Sequence, residues 1–158
     1  MSEAANGKRV VVIGGGPGGY PAAFYAADLG FDVTLVDLEE NPGGVCLYRG
    51  CIPSKALLHA ARLLHEAREA KAIGITFSKP KIDLGKLRSW KESVVSRLTG
   101  GLGQMRGLRG VKAVQGRARF VDGHRLAVEK QDGSSEELAF DYAILATGSR
   151  PTSIPIFD

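Results

Sequence analysis

A chain of 158 residues is long enough for one domain around one core, and 44% hydrophobic with 24% charged residues excludes disordered and fibrous classes. The net charge of +4 is uneven, because Lys79 to Arg125 carries 12 Lys and Arg against 3 Asp and Glu. That stretch lacks the interleaved aromatics of a base-stacking surface, so it is expected to be a solvated face, or one that meets acidic groups in an assembly, and not a nucleic-acid footprint.

The start, Met1 to Lys8, is polar and shows no export signal, and no run reaches the ~18 apolar residues of a membrane helix. With only two cysteines, a cytoplasmic protein without a membrane span is expected. Lys8 to Ile13 is rich in β-branched residues, as a strand buried on both faces requires. Gly14 to Gly19 follows, then a helix from Tyr20 to Leu29 stopped by Gly30, with Pro21 tolerated in the first turn. Asp32 to Asp37 is a second strand, so the chain opens with a right-handed βαβ unit and a parallel sheet.

Ala56 to Ala72 reads as a helix ended by Gly74, followed by a short extended piece at Ile75 to Phe77. A second long helix is predicted from about Asp83, with Leu84, Leu87, Val94, Leu98, Leu102 and Met105 on its apolar face. Gly100, Gly101 and Gly103 weaken its C-terminal half. Val111 to Val114 is a short strand. Arg117–Val121, Arg125–Lys130 and Glu136–Phe140 form an antiparallel meander joined at Asp122-Gly123 and Asp132-Gly133. Tyr142 to Ala146 returns to the buried-strand pattern and runs into Thr147-Gly148-Ser149, ahead of Pro151 and Pro155.

Gly14, Gly16 and Gly19 satisfy G-x-G-x-x-G between a strand and a helix. The first glycine permits the turn, the second lets a pyrophosphate approach the backbone, and the third lets helix and strand pack. The helix N-terminus then faces the phosphates with free N–H groups. Asp37, 18 residues after Gly19, can accept from ribose hydroxyls. A purely structural turn with a solvated aspartate is the bland alternative, and the motif does not separate FAD from NAD.

Cys46 and Cys51 are the only thiols, with four residues between them. A structural disulfide over so small a ring would constrain the unfolded chain by only about 2 kcal/mol. Zinc would need two further ligands from His59, His65 or His124, which lack finger-type spacing, so no metal is expected. A redox pair requires the segment to bend, since five residues of straight helix advance ~7.5 Å, and Gly50 and Pro53 suit a bend. Cys51 precedes a long helix and stands near Arg49 and Lys55, all of which favour a thiolate.

The tract Gly43 to Lys55 behind a glycine turn and Asp37 resembles the flavin disulfide reductases. Cys46-Leu47 with Cys51-Ile52-Pro53-Ser54-Lys55 is most similar to the dihydrolipoamide dehydrogenase branch, since glutathione and mercuric reductases usually carry Val after the second cysteine. Ala146-Thr147-Gly148-Ser149-Arg150-Pro151 resembles that family's second flavin-contacting turn, so the likeness spans essentially the whole chain. Val45 and Tyr48 depart from the usual Thr and Asn.

The resemblance implies an α/β, Rossmann-like FAD-binding domain. It makes residues 1–158 the N-terminal segment of that domain, incomplete relative to the family, with the NAD-binding, central and interface domains absent. It implies oxidation of dihydrolipoamide through Cys46 as interchange thiol, Cys51 as the thiolate against the flavin, FAD, and NAD⁺ as acceptor. Gly14, Gly16, Pro17 and Gly18 would surround the pyrophosphate and Asp37 the ribose. Ala118 would meet the adenine end through its backbone, and Gly44, Val45, Cys46 and Lys55 the flavin. Thr147, Gly148 and Ser149 would close over the cofactor. The expected partners are a lipoyl domain of a 2-oxo acid dehydrogenase or glycine cleavage complex and, in the full-length enzyme, a second copy in a homodimer. The chain is expected to be a fragment that does not turn over lipoamide alone. A non-catalytic nucleotide-binding or thiol redox-sensing module is the alternative, and an NAD-binding dehydrogenase domain would leave the cysteine tract unexplained.

Overall fold

The computed structural model describes residues 7–150, 152–154 and 156. Residues 1–6 of the polar start, Pro151 of the flavin-contacting turn, and Pro155, Phe157 and Asp158 of the apolar ending lie outside the described residues.

Four strands build a parallel sheet in the order β3-β2-β1-β7: β1 (Arg9–Ile13), β2 (Asp32–Asp37), β3 (Lys112–Gln115) and β7 (Tyr142–Leu145). Val10 pairs with Val33 on one side and Tyr142 on the other, so the central strand is the first one made. The valines of β1 point alternately to two covered faces. Val10 and Val12 join Val33 and Leu35 against Ala23, Phe24 and Ala26 of α1 (Gly19–Asp28). Val11 and Val36 pack instead on Leu126, Val128 and Phe140 of the second sheet. That sheet is the antiparallel meander β4 (Arg117–Phe120), β5 (Arg125–Glu129) and β6 (Ser135–Ala139), with Leu126 opposite Leu138. The result is helix, parallel sheet and meander in three layers.

Leu126 is fully buried where meander and parallel sheet meet. Leu126→Ala is expected to cost about 2–5 kcal/mol through lost burial and an unfilled cavity, measurable as a lower urea midpoint with an unchanged slope.

Two helices form an arm between β2 and β3. α3 (Cys51–Glu69) begins five residues before the predicted Ala56, and a 3₁₀ turn at Ala70–Ile73 ends at left-handed Gly74. Pro53 does not bend the chain, because in the first helical turn its missing N–H has no intrahelical partner to lose. α4 (Leu84–Leu108) starts under Asp83, whose carboxylate accepts from the Lys86 N–H at 3.0 Å. Its predicted apolar face is partly wrong: Leu84, Leu98 and Met105 are exposed, and Val95 and Thr99 are the buried residues. The helix runs unbroken through its glycines, and Gly103 has a packing reason. A Cβ there would lie 2.1 Å from Asn41 Oδ1, so this glycine lets the loop after β2 rest on α4. Among the described residues, no helix is long and apolar enough to cross a membrane.

Candidate active site

All four parallel strands end on one edge of the sheet, and their loops meet there at the point where the chain passes from β1 to either neighbour. The Gly14 N–H donates to Val36 O at 2.8 Å and the Ala146 N–H to Ile13 O at 2.8 Å, which fixes both loops to the strand ends. Asp37, the last residue of β2, accepts from Gly15 N at 2.5 Å and Glu39 N at 2.8 Å, so its carboxylate is oriented by two backbone donors. The Gly43 N–H donates to Gly15 O at 2.7 Å and docks the cysteine segment on the glycine turn.

The three motif glycines are required for different reasons. A Cβ on Gly14 would lie 2.2 Å from Ala146 O, and one on Gly19 only 1.7 Å from Gly14 O, so packing alone demands both. Gly16 meets nothing nearer than Gly44 Cα at 3.9 Å, so the protein itself would admit a side chain there. The open side of Gly16, beside a 10-residue helix with no acidic side chain in its first turn, matches what a pyrophosphate needs.

Between Gly43 and Cys51 the chain makes one short helix, α2 (Gly44–Tyr48), and turns through Arg49 and Gly50. Gly50 supplies the bend that the sequence requires between the cysteines. Both thiols are free, Cys51 exposed and Cys46 half-buried. They are within hydrogen-bonding reach, and the Cys46 thiol is pushed up from its ordinary pKa, first by the bond it donates to the Cys51 sulfur and then by desolvation. The Cys51 N–H and the Lys55 charge act in the opposite direction. A raised thiol pKa means that Cys46 keeps its proton to higher pH than a free cysteine. Its alkylation by iodoacetamide is therefore expected to follow a rate–pH curve displaced to the alkaline side of that of an unhindered cysteine, and an acid-side displacement would contradict the donated bond.

One cleft of about 550 Å³ brings together Gly14, Gly16, Pro17, Gly18, Asp37, Gly44, Val45, Cys46, Thr147, Gly148 and Ser149. Cys51, Lys55 and Ala118 are not in its lining. Lys55 lies one turn along α3, where its charge reaches Cys46, and Ala118 on β4 packs its methyl against the core under the meander. Leu38, Glu39, Arg49 and Ala146 also line the cleft. Of these, Glu39 had a signal in sequence, being a second carboxylate just beyond the ribose position. Arg49, read there as a thiolate-stabilising neighbour, instead pairs with Glu39 at 2.5 Å.

Residues 8–157 match the family described as pyridine nucleotide-disulphide oxidoreductase, which is nearly the whole chain. The chain belongs to that family. Membership implies a flavin cofactor, which the open glycine turn and the oriented Asp37 fit. Among related oxidoreductases, dihydrolipoyl dehydrogenase of Haemophilus influenzae is 50% identical over 147 residues, covering 93% of this chain and 31% of the relative. Dihydrolipoyl dehydrogenase 2 of Haloarcula marismortui is 45% identical over the full chain and 34% of the relative. The crystal structure of LpdA from Mycobacterium tuberculosis superposes with a TM-score of 0.82 at 28% identity, over 94% of this chain and 33% of that one. The chain thus spans about a third of the length of the relatives it matches.

Proposed function

We propose that the cleft holds FAD and that Cys46 and Cys51 exchange electrons with a dithiol, as the N-terminal part of a dihydrolipoyl dehydrogenase that uses NAD⁺ as acceptor. The observation that carries this reading is the placement of Cys46 in the same cleft as the glycine turn and Asp37. In the oxidised pair, a substrate thiolate attacks Cys46 Sγ, the Cys46–Cys51 bond breaks, and Cys51 leaves as the thiolate. The second substrate thiol then attacks the mixed disulfide and releases Cys46, which takes up a proton. The dithiol is oxidised by two electrons, and the protein's disulfide is reduced by two. When bound, FAD supplies the two-electron relay between a thiolate and a nicotinamide.

Gly14, Gly16, Pro17 and Gly18 would hold the pyrophosphate, Asp37 the ribose, and Gly44, Val45 and Thr147–Ser149 the remaining cleft walls. Lys55 biases the thiol pair electrostatically, and the Ala118 backbone serves the adenine end. In a longer protein the substrate is dihydrolipoamide on a lipoyl domain of a 2-oxo acid dehydrogenase or glycine cleavage complex, and two copies form a cytoplasmic homodimer. The test is the visible absorption spectrum of the purified chain titrated with FAD and, separately, with NAD. Flavin absorbance that bleaches on addition of one equivalent of dithiol supports the reading. Thiol oxidation without flavin binding would favour a redox-sensing module in its place.

A further inference from the structure

The cleft carries a charge problem for the ligand proposed for it. FAD brings two negative phosphate charges, while Asp37 and Glu39 already contribute two carboxylates. Among the described residues lining the cleft, Arg49 is the only cation. It sits in the turn between α2 and α3, and its guanidinium pairs with Glu39 across the cleft rim. Both side chains are solvated, 63% and 27% exposed, and such pairs hold weakly because water competes for both charges. A guanidinium also binds phosphate oxygens through two parallel donors, which a lone carboxylate at the rim does not improve on.

We propose that Arg49 is a pyrophosphate-binding residue of this cleft, released from Glu39 when the dinucleotide enters. The inference rests on the cleft being a dinucleotide site, and it adds a cofactor contact from the cysteine segment itself. The same eight-residue stretch, Gly44 to Cys51, would then both carry the redox pair and clamp the phosphates beside it. Glu39 acts as a placeholder that keeps the guanidinium at the rim without the ligand.

The test is calorimetry of the purified chain with ADP, together with FAD and riboflavin titrations followed by fluorescence. Arg49→Met is expected to weaken ADP and FAD binding by roughly tenfold or more, the loss of a charge-assisted contact, and to leave riboflavin unaffected because it has no phosphate. Arg49→Lys should recover part of the loss, and raising the salt concentration should narrow the gap between wild type and Arg49→Met. Glu39→Gln is expected to strengthen ADP binding, since it frees the guanidinium and removes a like charge. Wild-type ADP affinity in Arg49→Met would overturn the proposal. So would a loss in Glu39→Gln equal to that in Arg49→Met, which would make the pair a loop clasp. Arg49-dependent ADP binding in a chain that rejects FAD would uphold the phosphate role and sink the flavin reading, whereas a chain that binds neither ligand sinks both.

Discussion

Cys51→Ser is expected to abolish reduction of cleft-bound flavin by a dithiol, by at least roughly 10³-fold in rate, while FAD affinity stays within a few-fold of wild type. The step requires a sulfur that can be displaced from a disulfide and remain as a stable anion. A serine oxygen forms no such bond, and its alkoxide is a far poorer leaving group at neutral pH. The substitution is small, and the site is the exposed first residue of α3, so the fold has no reason to respond. Stopped-flow absorbance in the flavin bands after mixing with excess dithiol reads the effect directly. Cys46→Ser should match it, because the incoming thiolate then has no sulfur to attack. Full-rate reduction in either variant would mean that electrons reach the flavin by another path.

The second large effect separates two glycines of one motif. Gly19→Ala must place a methyl carbon 1.7 Å from the Gly14 carbonyl oxygen, a backbone atom with no rotamer to escape into. The β1–α1 turn has to open, at a cost of about 3 kcal/mol or more, a large share of the ~5–15 kcal/mol that holds a domain of this kind together. Gly16→Ala meets only Gly44 Cα at 3.9 Å and should fold with a melting temperature close to wild type. It is expected to lose at least roughly tenfold in FAD affinity, about 1.4 kcal/mol, because the new methyl occupies the surface that a phosphate must approach. Thermal melts with and without FAD distinguish the two. Equal behaviour of both variants would mean that Gly16 is another packing glycine.

The parallel core was legible because Val10 to Ile13 is apolar throughout and Val33, Leu35 and Val36 put apolar side chains on both faces of the second strand, a pattern that buried parallel strands share with little else. The meander was legible from turn chemistry: Asp122 accepts from the His124 N–H at 2.9 Å and Asp132 from the Ser134 N–H at 2.8 Å, the local bonds that make Asp-Gly a turn signal. The helical arm was harder to read. Apolar residues are spread around more than one side of α4, so periodicity could not rank Leu98 against Val95; only the neighbouring α3 and the cysteine segment decide which side is covered. The start of α3 was hidden because a proline reads as a breaker unless its place in the first turn is known. At the site, glycines and cysteines announce themselves by type and spacing. The Arg49–Glu39 pair depends on the left-handed turn at Gly43 and Gly44 and on the short α2, which lie between the two residues and bring side chains ten positions apart to one rim, and no periodic rule reports that.

The position of β1 between β2 and β7 also bears on the order in which the molecule assembles. Val10 meets Val33 after a short stretch of chain, but its other neighbour, Tyr142, lies 132 residues further on, as Asp141 does from the Arg9 that it binds. Closing that longer loop carries roughly 1.5 kcal/mol more entropy loss than the β1–β2 closure, and it follows that closure. A nascent polypeptide lacking Ala146 to Ser149 therefore has a glycine turn with one wall missing. The wall formed by Ala146 to Ser149 is consequently added to the glycine turn after the β1–β2 pair is made, and until then one flank of the first strand stays open to mispairing.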